Sequence, residues 1–133
     1  MAANLVGAGV RLSVWNRSVP AEERIAALGA RVESSARDAL RGSPTALLML
    51  ANEAAVDHVL ERGTVEFRHN VAGRLIVHMG TTSPDFSRGL ATEIREVGGR
   101  YVEAPVSGSR TPAESGALVG MVAGDSDDVE FVR

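Results

Sequence analysis

Short apolar runs alternate with amphipathic stretches along almost the whole chain, and this alternation limits the possible folds more than any other feature. Residues 10–15 alternate with period two and predict a strand. Residues 20–28 (PAEERIAAL) carry apolar side chains at helical spacing, and Gly29 suits the C-terminal cap. A short strand follows at 30–33, then a helix capped by Ser34 and running to about Arg41. After the break at Gly42-Ser43-Pro44, residues 45–50 (TALLML) are continuously apolar, the pattern of a strand buried on both faces. Asn52 caps a helix through about Glu61, and residues 63–73 show no clear period. Residues 75–79 form another buried strand, and Ser83-Pro84 starts a helix that Gly98-Gly99 ends. Strands are expected at 100–103 and 118–123, with a last helix opening at Gly124-Asp125-Ser126.

Strand and helix in strict alternation predict an α/β domain, a doubly wound and mostly parallel sheet with helices on both faces and right-handed crossovers. At 133 residues there is room for one domain, and no internal repeat or linker divides it. Fourteen glycines and 4% aromatic residues fit α/β better than a β-sandwich. The absence of cysteine excludes a disulfide framework and a thiolate metal site. A charge of −3, from 14 basic and 17 acidic residues without a basic stripe, argues against nucleic acid and anionic membranes as partners. No apolar run approaches the roughly 18 residues of a spanning helix. The N-terminus lacks the pattern of a signal peptide, so a cytoplasmic protein is expected.

In open α/β sheets ligands sit beyond the C-terminal ends of the strands, so the residues just after each strand carry the functional information. Asn16-Arg17-Ser18 follows the first strand. At the equivalent position of a dinucleotide fold an acid binds a ribose 2′-hydroxyl and an arginine accepts a 2′-phosphate; here an arginine and a serine stand without an acid. The plain alternative is a solvated turn. Leu50-Ala51-Asn52 and Gly80-Thr81-Thr82 end the two most apolar strands, where small and hydroxyl residues let a flat ring approach the backbone or simply cap helices. Ser107, with the amides of Gly108 and Ser109, offers a small nest for a carboxylate. Gly7-Ala8-Gly9 is no phosphate loop: it precedes a strand, and the sixth position of the motif is Leu12. His58, His69 and His78 share no metal-ligand spacing, and Glu22-Glu23 and Asp127-Asp128 read as charges meeting helix N-termini.

Taken together, these junctions resemble one family. Met1-Ala2-x-Asn4-Leu5, Gly9 and Val14-Trp15-Asn16-Arg17-Ser18 look like the start of the β-hydroxyacid dehydrogenases, a group that includes 3-hydroxyisobutyrate dehydrogenase and is related to 6-phosphogluconate dehydrogenase and the imine reductases. Met79-Gly80-Thr81-Thr82-Ser83-Pro84 is similar to their Met-Ser-Thr-x-Ser-Pro segment. Glu103-Ala104-Pro105-Val106-Ser107-Gly108-Ser109 is similar to their substrate motif, and Ala113-Glu114-x-Gly116-x-Leu118 and Gly124-Asp125 extend the match.

The resemblance implies a Rossmann-like domain of an oxidoreductase acting on a small β-hydroxy acid or a short-chain semialdehyde or 2-oxo acid. The alternatives are an imine reductase and a non-catalytic interaction module. By position, Asn16, Arg17 and Ser18 would meet the adenosine phosphate, favouring NADP(H) over NAD(H). Leu50 and Ala51 would line the cofactor groove, and Thr81 would sit near the nicotinamide ribose. Ser107, Gly108 and Ser109 would bind the substrate carboxylate. Gly80 stands where Ser is common in the family, and Ser109 where Gly is common.

The resemblance also implies a first strand with its glycine-rich loop, and a C-terminal helical domain carrying a catalytic lysine and much of a homo-oligomer interface. Residues 1–133 contain no lysine, so a partial NAD(P)-binding domain is expected, inactive alone and binding cofactor only weakly. Without the central strand, the ladders on either side of it would be separated or expose their edges.

Overall fold

The computed structural model describes the backbone of residues 1–133 and the side chains of all of them except 19–22, among which Glu22 lies. In chain order the elements are α1 (Ala2–Gly7), β1 (Ser13–Val14), α2 (Val19–Ala26), β2 (Arg31–Val32), α3 (Ala36–Arg41), β3 (Thr45–Leu48), α4 (Glu53–Leu60), α5 (Glu66–Val71), β4 (Leu75–His78), α6 (Pro84–Glu96), β5 (Arg100–Glu103), β6 (Val106–Ser107), α7 (Arg110–Ser115), β7 (Val119–Gly120), β8 (Ala123–Gly124) and α8 (Ser126–Val132). The α/β alternation expected from the sequence is present.

The strands form three ladders. β3, β4 and β5 lie side by side in parallel, and β8 closes the far edge antiparallel. β1 and β2 form a separate parallel pair, and β6 and β7 a short antiparallel one. Among the described residues β1 and β3 therefore each have a ladder partner on one side only.

Side-chain alternation divides the core into two layers. Leu48, Ile76 and Tyr101 face α3, α4, α5 and α6, whose Leu40, Val56, Leu60, Phe67, Val71, Leu90 and Ile94 complete the larger cluster. The opposite face of β4 and β5 presents Leu75, Val77, Val102 and Ala104 to Val122 and Val132. All four residues of β4 are buried, as its apolar run predicted. β3 departs from that expectation. Its Leu48 side is covered, but Leu47 is 44% exposed and Met49, just beyond it, 57%. The reason is position: β3 is an edge strand here, and its second face extends past the cover that reaches β4 and β5.

Local chemistry fixes the helix boundaries. Asn52 caps α4 by accepting from the Ala55 amide, and the left-handed Glu61 (φ 56°) ends it. Ser83 caps α6 through the Phe86 amide, with Pro84 in the first turn, and Ser87, Leu90, Ala91 and Ile94 give the buried stripe at i, i+3, i+4 and i+7. The cap of α3 is Ser35 rather than Ser34; Ser34 donates instead to the Asp38 carboxylate. The expected strand at 118–123 is broken into β7 and β8, which pair with different strands. The aperiodic stretch 63–73 contains α5, one and a half turns long and too short to display a period. Arg74 gathers the loose carbonyls at two helix ends, donating to His69 and Ala72 beside α5 and to Arg41 of α3. Asp127 and Asp128 stand in the first turn of α8, and the buried Asp128 is also ion-paired with Arg100. Among the described residues no helix is long and apolar enough to cross a membrane.

Candidate functional site

Parallel pairing places the C-terminal ends of β3, β4 and β5 along one edge of the sheet. The ladders continue past the strands: the Met79 amide donates to Leu48 O at 2.9 Å and the Ala104 amide to His78 O at 2.8 Å. Leu50 and Ala51, Thr81, and Ser107, Gly108 and Ser109 thus come after three neighbouring strands of one sheet. Asn16, Arg17 and Ser18 come after β1, which belongs to the other parallel ladder.

The junction of β3 with β4 is close-packed. A Cβ built on the buried Gly80 would stand 3.1 Å from Leu50 O and 3.1 Å from His78 Nε2. Such contacts are tight, and a side chain at position 80 would need its neighbours to give by a few tenths of an ångström. Leu50 is half-buried against the larger core cluster, while Ala51 and Thr81 are exposed. Ala51 and Thr81 thus stand exposed just before the N-termini of α4 and α6.

Those two N-termini are tied together by a contact that sequence reasoning did not find. Glu53 Oε1 accepts from the Ser83 amide at 3.0 Å and from Ser83 Oγ at 2.8 Å. These two hydrogen bonds hold the Glu53 carboxyl below its ordinary pKa, with a smaller contribution from the Arg62 charge. The contact spans thirty residues, and no local pattern announces it.

A buried polar chain runs from β4 to α6. His78 Nδ1 is 3.0 Å from the Tyr101 hydroxyl, which is 3.0 Å from Ser87 Oγ. Among the described residues His78 Nε2 and Thr82 Oγ1 are buried without a hydrogen-bond partner. Burial pushes the His78 pKa down, with Glu103 opposing, and pushes that of Tyr101 up. Above the unfolded histidine value, about 6.5, the folded and unfolded chains are both neutral at this site. Below it the unfolded chain takes up a proton that folded His78 resists, so stability is lost as pH falls. The urea midpoint is expected to drop between about pH 7.5 and about pH 5.5, and His78→Gln to flatten that drop. An unchanged pH dependence in the variant would contradict this assignment.

At the substrate end, Ser107 pairs with Val119 in the β6–β7 ladder, and Gly108 takes φ 138°, a conformation other residues rarely adopt. Ser109 precedes α7 in extended conformation with its side chain free of a cap bond. All three are exposed. At the other end, Asn16, Arg17 and Ser18 are exposed, and Asn16 Nδ2 donates to Ser18 O at 3.0 Å. Among the described residues Arg17 has no ion-pair partner, whereas most of the other arginines do.

A parallel sheet with its loops gathered at the C-terminal edge defines a Rossmann-like, dinucleotide-binding type of domain. Residues 1–133 match the family described as the NAD binding domain of 6-phosphogluconate dehydrogenase, and the chain belongs to that family. It is 33% identical over its whole length to the mitochondrial 3-hydroxyisobutyrate dehydrogenase of Drosophila melanogaster, covering 40% of that protein. It is also 33% identical, again over its whole length, to the NAD-dependent L-serine dehydrogenase of Pseudomonas aeruginosa, covering 45% of it. Among solved structures, the Mycobacterium tuberculosis 3-hydroxyisobutyrate dehydrogenase with L-serine superimposes with a TM-score of 0.89 at 26% identity, over 99% of this chain and 44% of that one. The chain thus spans less than half the length of these relatives.

Proposed function

We propose that this chain is the coenzyme-binding part of a cytoplasmic, homo-oligomeric NADP(H)-linked oxidoreductase that acts on a small β-hydroxy acid or a short-chain semialdehyde or 2-oxo acid. The observation that carries the proposal is that Leu50, Ala51 and Thr81 follow neighbouring parallel strands at the C-terminal edge of one sheet. In open α/β sheets a dinucleotide binds beyond the C-terminal ends of the strands, where these residues stand. The residues present fit the group. Leu50 and Ala51 supply apolar contact, Thr81 a hydroxyl for the ribose, and the Arg17 guanidinium, with Ser18, a fork for a 2′-phosphate. The NADP(H) preference rests on Arg17 and the lack of an acid at positions 16–18, since one named relative is NAD-dependent.

When bound, the nicotinamide gives or takes the hydride; the protein's part is positioning and electrostatics. Ser107 and the amides of Gly108 and Ser109 orient the substrate carboxylate so that the reacting carbon faces the ring. The proton donor is not a lysine of this chain, which has none. A carboxylate anchor also separates this reading from an imine reductase: the longer enzyme is expected to turn over 3-hydroxy acids and to ignore carboxylate-free cyclic imines.

The split between the β1–β2 and β3–β4–β5–β8 ladders supports a further part of the proposal: a strand and a glycine-rich loop from outside these residues complete the sheet. Reading the DNA upstream of Met1 in frame tests it. A stop codon directly before Met1, with no glycine-rich loop encoded, would contradict it. The coenzyme reading is tested by adding NADPH to the 15N-labelled chain. Amide shifts are expected to cluster at 16–18, 50–51 and 80–82. Shifts confined to the opposite edge of the sheet would overturn it.

A further inference from the structure

Glu53 combines three properties that no other residue of the candidate groove shares. It occupies the first turn of α4. It is bonded across the chain to both the amide and the hydroxyl of Ser83, the residue that caps α6. Ser83 lies two positions after Thr81, so the carboxylate stands beside the turn assigned to the nicotinamide ribose. It is held in place by two donors whose own positions are fixed by the start of a 13-residue helix.

Side-chain pairing at this end leaves an acidic excess, set against the partial positive charge of the α4 and α6 N-termini. The cation whose charge acts on Glu53 is Arg62, whose guanidinium is already engaged by Glu93 at 2.6 Å and Asp57 at 3.2 Å and lies 5.1 Å from the centre of the Phe86 ring. One arginine thus faces three carboxylates: Glu53, Asp57 and Glu93. Arg88 pairs with Asp85 and adds no net charge. The other end of the proposed groove carries Arg17, which has no ion-pair partner among the described residues. Among the described ion pairs, the acidic excess thus lies at the end assigned to the nicotinamide, and Arg17 stands at the end assigned to the 2′-phosphate.

An oxidised nicotinamide carries a positive pyridinium charge and a reduced one carries none; elsewhere the two coenzymes are the same. A fixed anion near the ring favours the oxidised form alone. We infer that Glu53, clamped by Ser83, is a positioning residue that ties the β3–α4 and β4–α6 turns together and biases the groove towards oxidised coenzyme. The inference rests on the coenzyme reading proposed above.

The test has two parts. In the chain alone, the Ser83 amide proton shift is followed against pH. It is expected to titrate with Glu53, with a midpoint below the ordinary glutamate range, and to lose that titration in Glu53→Gln. A Ser83 amide that does not titrate in the unmodified chain would overturn the clamp. Calorimetric titrations with NADP+ and NADPH then compare the two chains. Glu53→Gln keeps an oxygen that accepts from Ser83 but removes the charge. It is expected to weaken NADP+ binding by about threefold, leave NADPH binding unchanged, and lose that difference in high salt. An equal change for both forms, or none, would overturn the charge role, because a purely structural clamp does not distinguish them. Binding of neither form by the unmodified chain would overturn the coenzyme reading and this inference with it, while the Ser83 titration would still report the clamp.

Discussion

Arg17→Ala is expected to weaken NADPH binding by about 30-fold and to leave NADH binding within about twofold of its starting value. The two coenzymes differ by one phosphate on the adenosine ribose. An arginine meets that phosphate with charge-assisted hydrogen bonds, and 30-fold is about 2 kcal/mol, the net worth of about one such bond at this exposed position. Arg17 is free to do this: it is exposed at the end of β1 and, among the described residues, lacks an ion-pair partner. Charge alone would not suffice. Arg17→Lys keeps a cation but loses the planar fork, so it is expected to recover only part of the loss. Parallel calorimetric titrations of the three chains with both coenzymes check this. Equal losses for NADPH and NADH would remove Arg17 from the phosphate site.

The second large effect concerns stability. Gly99→Ala is expected to destabilise the fold by about 3 kcal/mol or more, a substantial share of the roughly 5–15 kcal/mol available to a domain. Gly99 is buried between the ends of α5 and α6. A Cβ there would stand 2.7 Å from Val71 O, 2.7 Å from Ile94 Cγ2 and 3.2 Å from Ile94 O. Two of these are backbone atoms that a side-chain rotation cannot move. Gly98 is the natural control. It takes φ 85° with open space around it, so Gly98→Ala suffers only local backbone strain, about 1 kcal/mol. Urea unfolding followed by circular dichroism measures both variants. Similar midpoints for the two would show that the contact at Gly99 relaxes more easily than its backbone neighbours imply.

The sequence was most legible where local chemistry acts alone. Asn52 and Ser83 cap the helices their positions suggested, because a side-chain oxygen two or three residues before a free amide needs no tertiary help. The run at 75–78 is buried on both faces, as continuous apolarity implies. The same pattern misled at β3, where Leu47 lies in the open, because an apolar run records the fold a strand is built for and not the neighbours that cover it. The strands around 10–15 and 118–123 are shorter than their patterns, since ladder length depends on the partner strand.

Candidate site residues divide in a similar way. The placement of Leu50, Ala51 and Thr81 at the C-terminal edge was legible because the residue after a strand in a parallel sheet has one place to go, whereas Ser107 lies in the antiparallel β6–β7 ladder, which no local pattern announces. The tight packing at Gly80 was not legible either, since it depends on the approach of Leu50 O from a different strand. Glu53 was invisible for the same reason: its partner is thirty residues away.

If the C-terminal edge of this sheet is a coenzyme groove with its phosphate end at Arg17, a single probe already in the chain reports on it. Trp15, the only tryptophan, lies two residues before Arg17 and packs against the larger core cluster, so its fluorescence senses that end of the groove. The decisive experiment is a titration of the purified chain with NADPH and NADH followed by Trp15 emission. Weak but saturable quenching is expected, tighter for NADPH than for NADH. No response to either, or tighter binding of NADH, would contradict the groove and its phosphate end.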